Sequence, residues 1–185
     1  GRPAGRGRGE MLRAYHQLCD RVDRQVEATE ARYKEQIVCR AGCAECCDAG
    51  LTIALVEAAA LGEGLGLSAE RVHLQAGQPP LAEAGTCALL DERERCRAYH
   101  HRPLVCRTQG MPLLYPDREG IVTCSRNFLT LAPHPSAVFD MENLETALFA
   151  ANLDYCRRAG LHPLSRVAID RLAQLAGLFE PASVK

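Results

Sequence analysis

Four thiols fall within nine residues, Cys39-Arg-Ala-Gly-Cys43-Ala-Glu-Cys46-Cys47, and this run constrains the chain more than any other stretch. Thiolates are soft ligands that hold zinc or iron–sulfur iron tightly, so a cluster of this density points to a metal. Wound as one continuous helix, the four would share a face, but Cys39 and Cys46 would stand about 10 Å apart along the axis. Sulfurs at about 2.3 Å from one ion cannot be spread that far. Either the backbone unwinds around Gly42 and wraps the metal, or the four thiols are divided between two centres. Adjacent cysteines usually face apart, which favours division. On both readings further ligands come from elsewhere in the chain.

Ten cysteines in 185 residues would suit a disulfide scaffold if the chain were secreted. No charged-then-apolar leader opens the sequence, a vicinal Cys46–Cys47 bridge would be strained, and a chain of this length needs no covalent staples. Metal ligation is therefore preferred over disulfides, and a cytoplasmic location is expected. Cys19 and Cys156 sit within amphipathic helical patterns and read as buried core thiols. The remaining eight are Cys39, Cys43, Cys46, Cys47, Cys87, Cys96, Cys106 and Cys124. Eight thiolates are the ligand number of two four-coordinate centres, iron–sulfur or zinc; alternatively three or four hold one centre while the rest are buried.

Charge and hydropathy exclude other classes. The formal net charge is -1, which gives no support for a nucleic-acid binder. Apolar runs such as Ala58-Ala59-Ala60-Leu61 are too short to span a bilayer, so no membrane partner is expected. The chain has no Walker loop, GxGxxG, HExxH or GxSxG pattern.

The glycine- and arginine-rich residues 1–9 are expected to be a disordered tail, followed by one domain over 10–180. Leu12, Tyr15, Cys19, Val22, Val26, Tyr33 and Ile37 recur at helical spacing, predicting an amphipathic helix from about Glu10 to Val38. Leu51–Leu67 reads as a short extended start and then a helix, and Ser68 as the cap of another over 69–76. Cys87–Cys96 reads as a hairpin with a charged turn, and Arg102-Pro103 opens a turn or short helix carrying Cys106 and Arg107. Glycines and prolines make 108–135 mostly loop. Asp140 and Gly160 bracket a helix, and Pro163 or Ser165 opens the last one.

Several side chains near the thiols invite two readings. His100 and His101 beside Cys96 could add imidazole ligands, although paired loop histidines more often face water. Glu57 reads as a solvated helix position, or as a hydrogen-bond partner to a metal ligand. Arg97, Arg102 and Arg107 are surface charges, or they neutralise a thiolate-rich site.

The run Cys39-x3-Cys43-x2-Cys46-Cys47, then Cys87, then Cys96-Arg-Ala-Tyr99-His-His-Arg102-Pro103-Leu-Val-Cys106-Arg107, then Cys124, resembles the YkgJ-type cysteine-cluster family. That family's domain is described as zinc- or iron-chelating and is named for a CxxCxxCC signature. The first gap here has three residues where the signature has two. The stretch from Cys96 to Arg107 is similar to the family's C-x-x-Y-x-x-R-P-x-x-C-R pattern, and the likeness covers about 37–127. The resemblance implies a metal, most often labelled an iron–sulfur cluster. A similar domain in flagellin lysine methylases implies that an enzymatic role is open.

A mainly α fold is therefore expected, a single helical domain with a small β-hairpin and irregular cysteine-rich loops around a metal site. The eight cysteines are expected to bind an iron–sulfur centre, or two, for electron transfer or redox-linked chemistry with a redox or protein partner. The alternatives are a zinc-binding structural or adaptor module, and a metal-dependent modifying enzyme with an open coordination position.

Overall fold

The computed structural model describes residues 6–179. Residues 1–5 of the expected tail lie outside them, whereas Arg6–Met11 form a short helix, α1. Helix α2, Arg13–Arg32, follows, and the periodic stripe is its inner face: Tyr15, Cys19, Val22 and Val26 are all buried. The helix ends six residues earlier than the apolar spacing suggests. Tyr33 remains buried but sits in a turn, so the chain is already irregular when it reaches the cysteine run.

Next come strand β1, Thr52–Ala54, and helix α3, Leu55–Gly64, the most deeply buried helix of the chain. Its small residues let other elements approach closely. A Cβ on Gly62 would stand 2.5 Å from Val72, and one on Gly64 would overlap His101. Ser68 caps α4, Ala69–His73, by accepting the Arg71 N–H as expected. A 3-10 turn at Tyr99–His101 leads into α5, Leu104–Thr108.

Residues 109–138 are mostly irregular, as the glycines and prolines imply, but they hold two short strands, β2 (Leu113–Leu114) and β3 (Ile121–Val122). These pair antiparallel, and β2 also pairs in parallel with β4, Phe139–Asp140. Helix α6, Met141–Ala159, begins where Asp140 accepts the Asn143 N–H and stops at Gly160, whose φ of 70° is the left-handed cap geometry that glycine adopts without strain.

Where one terminal helix was expected, the chain forms strand β5, Arg166–Ala168, and then α7, Ile169–Leu175. β5 pairs antiparallel with β1 about the central Ile53↔Val167 pair. Each of these strands turns directly into a buried helix. The two strand–helix corners thus face each other across a short ribbon at the centre of the core. Leu55, Val56, Leu61, Val167 and Leu172 are fully buried there, each contributing roughly 1.5–3 kcal/mol of burial free energy. The fold is mainly α, as the periodicity implies. No helix among the described residues is long and apolar enough to cross a membrane.

Candidate metal centre

The cysteine run is not helical. Cys43 N–H closes a turn onto Arg40 O, Cys47 N–H closes another onto Ala44 O, and Gly42 within the first has a φ of 88°. Unwinding around Gly42, one of the two alternatives posed by the spacing, is what the backbone does.

Each end of the run is tied to a different part of the chain. At the first end, Asn127 is buried and fully engaged: its Oδ1 accepts Val38 N–H, and its Nδ2 donates to Cys39 Sγ at 3.3 Å and to Gly110 O at 2.7 Å. Asn127 N–H in turn donates to Cys124 O, which brings the Cys124 loop alongside Cys39. Gly110 is required at this point, because a Cβ there would stand 2.6 Å from the Cys39 sulfur, and its φ is 86°.

At the other end Cys87 N–H donates to Cys47 O at 2.9 Å, and Asp48 bridges Thr86 in antiparallel fashion. The expected hairpin over 87–96 is reduced to a single Leu90↔Cys96 bridge and an Asp91-capped turn, in which Asp91 Oδ1 accepts from Arg93 N–H and Arg95 N–H. The arms are too short and irregular for regular strands, yet Cys96 still returns towards Cys87.

Buried carboxylates hold the thiol-bearing segments to the helical core. Glu57, only 2% exposed, accepts Ala54 N–H at the start of its own helix and Leu104 N–H at the start of α5, two residues before Cys106. The solvated reading of Glu57 is thereby corrected, and the hydrogen bond goes to the backbone leading to a candidate ligand, not to a thiol. Its carboxyl pKa is raised, chiefly by burial. From the opposite corner, Asp170 accepts Leu81 N–H and Ala82 N–H, fixing the segment that leads to Cys87.

The arginines divide. Arg97 is exposed. Arg107 is buried and pairs with Asp23 at 2.5 Å, while donating to Arg102 O and His100 O, so it fastens α5 to α2 and is no surface charge; the thiol its charge reaches is that of the core Cys19. Arg102 stacks on Tyr99 with its guanidinium carbon 3.8 Å from the ring centre. Its Nε is buried without a partner, and its charge lowers the pKa values of Cys96 and Cys106 against the larger effect of burial. An orphaned cationic donor beside two thiols suits a site whose sulfurs become anionic when metal binds.

All ten cysteines are free, with Cys19 and Cys156 buried in the core. The thiols influence one another as one linked set, joined through Cys46 and Cys47. Cys39 has Cys124, Cys43 and Cys46 as charged neighbours, which add to burial in raising its pKa. Cys106, pushed up to about 12 by burial first, has Cys87 and Cys96 as neighbours, and Cys47 has Cys87 and Cys106. Cys46 and Cys47 do not face apart as expected. The Cys47 S–H stabilises the Cys46 thiolate, bringing Cys46 down to about 6 while Cys47 is raised.

A cavity of about 350 Å³ opens beside the run and reaches Cys43 and Cys47, with Glu45, Asp48, Glu94 and Arg126 around it. His100 and His101 are exposed, and His101 packs on Gly64. A second cavity of about 350 Å³ contains no thiol; His73 and Tyr155 line it, joined by a 2.6 Å hydrogen bond.

The donor set fits zinc or iron in its chemistry: eight free thiols lie on segments tied together by the Asn127 bonds and the Cys47–Cys87 backbone bond. Among the described residues, no three His, Cys, Asp or Glu side chains stand in the arrangement of ligands around one ion. Asn127, Gly110 and Asp170 were not singled out from the sequence. Only the spacing of Asn127 just beyond Cys124 could have drawn attention to it.

No curated protein and no solved structure matches the chain. Residues 38–127 match the model of the CxxCxxCC family, described as a "putative zinc- or iron-chelating domain". This segment runs from the residue that donates to Asn127 to Asn127 itself, and it takes in all eight clustered cysteines. Over residues 38–127 the chain carries a domain of the CxxCxxCC family.

Proposed function

We propose that the chain carries an iron–sulfur centre on Cys39, Cys43, Cys46, Cys47, Cys87, Cys96, Cys106 and Cys124, and serves in electron transfer or redox-linked chemistry with a protein partner. The observation that carries this reading is eight free, mostly half-buried thiols on hydrogen-bonded segments, two of them, Cys96 and Cys106, within reach of the orphaned Arg102 charge. When bound, such a centre supplies one-electron chemistry at a potential tuned by hydrogen bonds to sulfur and by solvent exposure. The protein's own contribution is to orient and insulate. Asn127 donates to the Cys39 sulfur, Arg102 offsets negative charge near Cys96 and Cys106, and Glu57 fixes the start of α5.

Zinc bound by the same cysteines is the second reading, since zinc takes thiolates in fours and eight free thiols are at hand. The cavity reaching Cys43 and Cys47 gives a modifying enzyme its one foothold, a place where a substrate could approach a ligand position. Protein purified without oxygen decides between the metals. An iron–sulfur protein is brown, contains iron and sulfide, and bleaches on reduction or in air. Near-stoichiometric zinc without iron removes the first reading in favour of the second.

A further inference from the structure

We infer that the second cavity, the one that contains no thiol, is a binding site for a small aliphatic ammonium ion. None of its lining residues belongs to the cysteine-bearing segments, so the inference does not rest on the metal reading.

The cavity lies where α3, α4 and α6 meet, and its walls are of two kinds. Inside, the buried Leu12, Ala59 and Leu67 supply an aliphatic floor. Beside them the buried Tyr155 holds the half-buried His73 through the 2.6 Å hydrogen bond. Burial lowers the pKa of His73, so its ring is neutral at neutral pH. Whichever of the two groups donates, the hydroxyl oxygen keeps a lone pair for an incoming N–H. At the mouth stand the exposed Glu63, Glu70 and Arg158. A concave space of about 350 Å³ with an apolar floor and a few convergent polar groups has the form of a small-molecule site.

Charge decides what kind of molecule fits. Two carboxylates stand against one guanidinium, and that guanidinium is already held by Asp154 at 2.9 Å. The backbone adds to the same sign. Glu63 lies in the last turn of α3 and Arg158 in the last turn of α6, so both helices bring the negative ends of their dipoles to the cavity. Helix α6 has Arg157 and Arg158 in that turn, whereas α3 has no basic residue in its own. The end that lacks a cation is therefore the one beside Glu63. The field extends to the inner wall: after burial, Glu63 and Glu70 help push the Tyr155 hydroxyl up to about 12. An anion would be repelled by the carboxylates, and a neutral molecule would leave the α3 end uncompensated. An ammonium on an aliphatic stem suits both walls. Its stem lies on Leu12, Ala59 and Leu67, and its N–H groups donate to the Glu63 carboxylate and the Tyr155 oxygen.

The test is an NMR titration of the full, nitrogen-15-labelled chain with pentylamine, n-pentanol and pentanoate, which share a stem and differ in charge. Pentylamine is expected to shift the amides of Glu63, Glu70, His73 and Tyr155 saturably, with a Kd on the order of 1 mM. It is expected to bind about fivefold or more tighter than either control. Glu63→Lys reverses an exposed charge and is expected to weaken pentylamine about tenfold while leaving pentanol unchanged. Tyr155→Phe is expected to weaken it about threefold. Should Tyr155→Phe fail to fold, Glu63→Lys decides, because its site is on the surface. No saturable shift with pentylamine, equal binding of pentanol, a preference for pentanoate, or unchanged pentylamine affinity in Glu63→Lys each overturns the inference.

Discussion

The amide of Asn127 donates to the sulfur of Cys39 at 3.3 Å from a fully buried position, while its oxygen accepts the N–H of Val38. Replacing Asn127 with Ala strands the buried Gly110 carbonyl and the Val38 N–H. The expected cost is about 1–3 kcal/mol in urea denaturation. Asn127→Asp keeps the acceptor for Val38 but places a carboxylate where a thiolate sulfur needs a donor. It is expected to lose metal, read by elemental analysis, more completely than Asn127→Ala does.

Gly110 is expected to resist substitution. Gly110→Ala combines a φ of 86° with a Cβ 2.6 Å from Cys39 Sγ, so the thiol must move. A destabilisation of about 1–3 kcal/mol is expected. A shift in Cys39 alkylation rate, with the rates of Cys87 and Cys106 unchanged, separates displacement of this one thiol from general loosening.

Glu57→Gln retains the shape of the side chain but leaves it able to accept only through one oxygen, although two backbone N–H groups, of Ala54 and Leu104, now depend on it. One donor is left unsatisfied in the core, which costs about 1–3 kcal/mol. The sign of the pH effect is set by the raised folded-state pKa. Wild-type stability falls as pH rises from the unfolded value of 4.5 through the folded value, because the folded state disfavours the charged form. Glu57→Gln removes that slope, and denaturation series across acidic pH measure it.

In metal-free protein Cys46 is exposed and its pKa is brought down to about 6, so it is a thiolate near neutrality. It is expected to be the first cysteine alkylated by iodoacetamide, with a rate that falls as pH drops through about 6. Cys47→Ala removes the S–H that stabilises this thiolate and shifts the rate profile to higher pH. Mass spectrometry of timed digests follows each thiol separately.

Burial lowers the pKa of His73, opposed by Glu70, and its Nε2 is bonded to the Tyr155 hydroxyl. The unfolded chain then protonates first on acidification. Stability present above the unfolded value of 6.5 declines as pH falls towards the folded value, and His73→Gln flattens that decline.

Much of the scaffold was legible because its signals are local. The stripe from Leu12 to Tyr33, the Ser68 and Asp140 caps and the Gly160 terminus each follow from side chains a few positions apart. The β1–β5 ribbon was not legible. Three-residue strands leave almost no alternation to read, and Thr52 and Ala168 are paired across more than a hundred positions. The site divides in the same way. The thiols announce themselves by type and spacing, but their supports do not. Asn127 and Asp170 act on backbone groups remote in sequence, and a buried Glu57 is indistinguishable in sequence from one on a wet helix face. Arg107 misled for a related reason: its place beside Cys106 gave no sign of Asp23, which claims its charge from another helix.

The mirrored corners of the central ribbon have one more consequence. Glu57 and Asp170 moor the two thiol-bearing stretches to the aliphatic core through bonds that need no sulfur. Such a molecule is a ready-made socket. On the metal reading, chelator treatment is expected to strip the thiols while the helical circular dichroism signal stays, unlike small domains that unravel when their metal leaves.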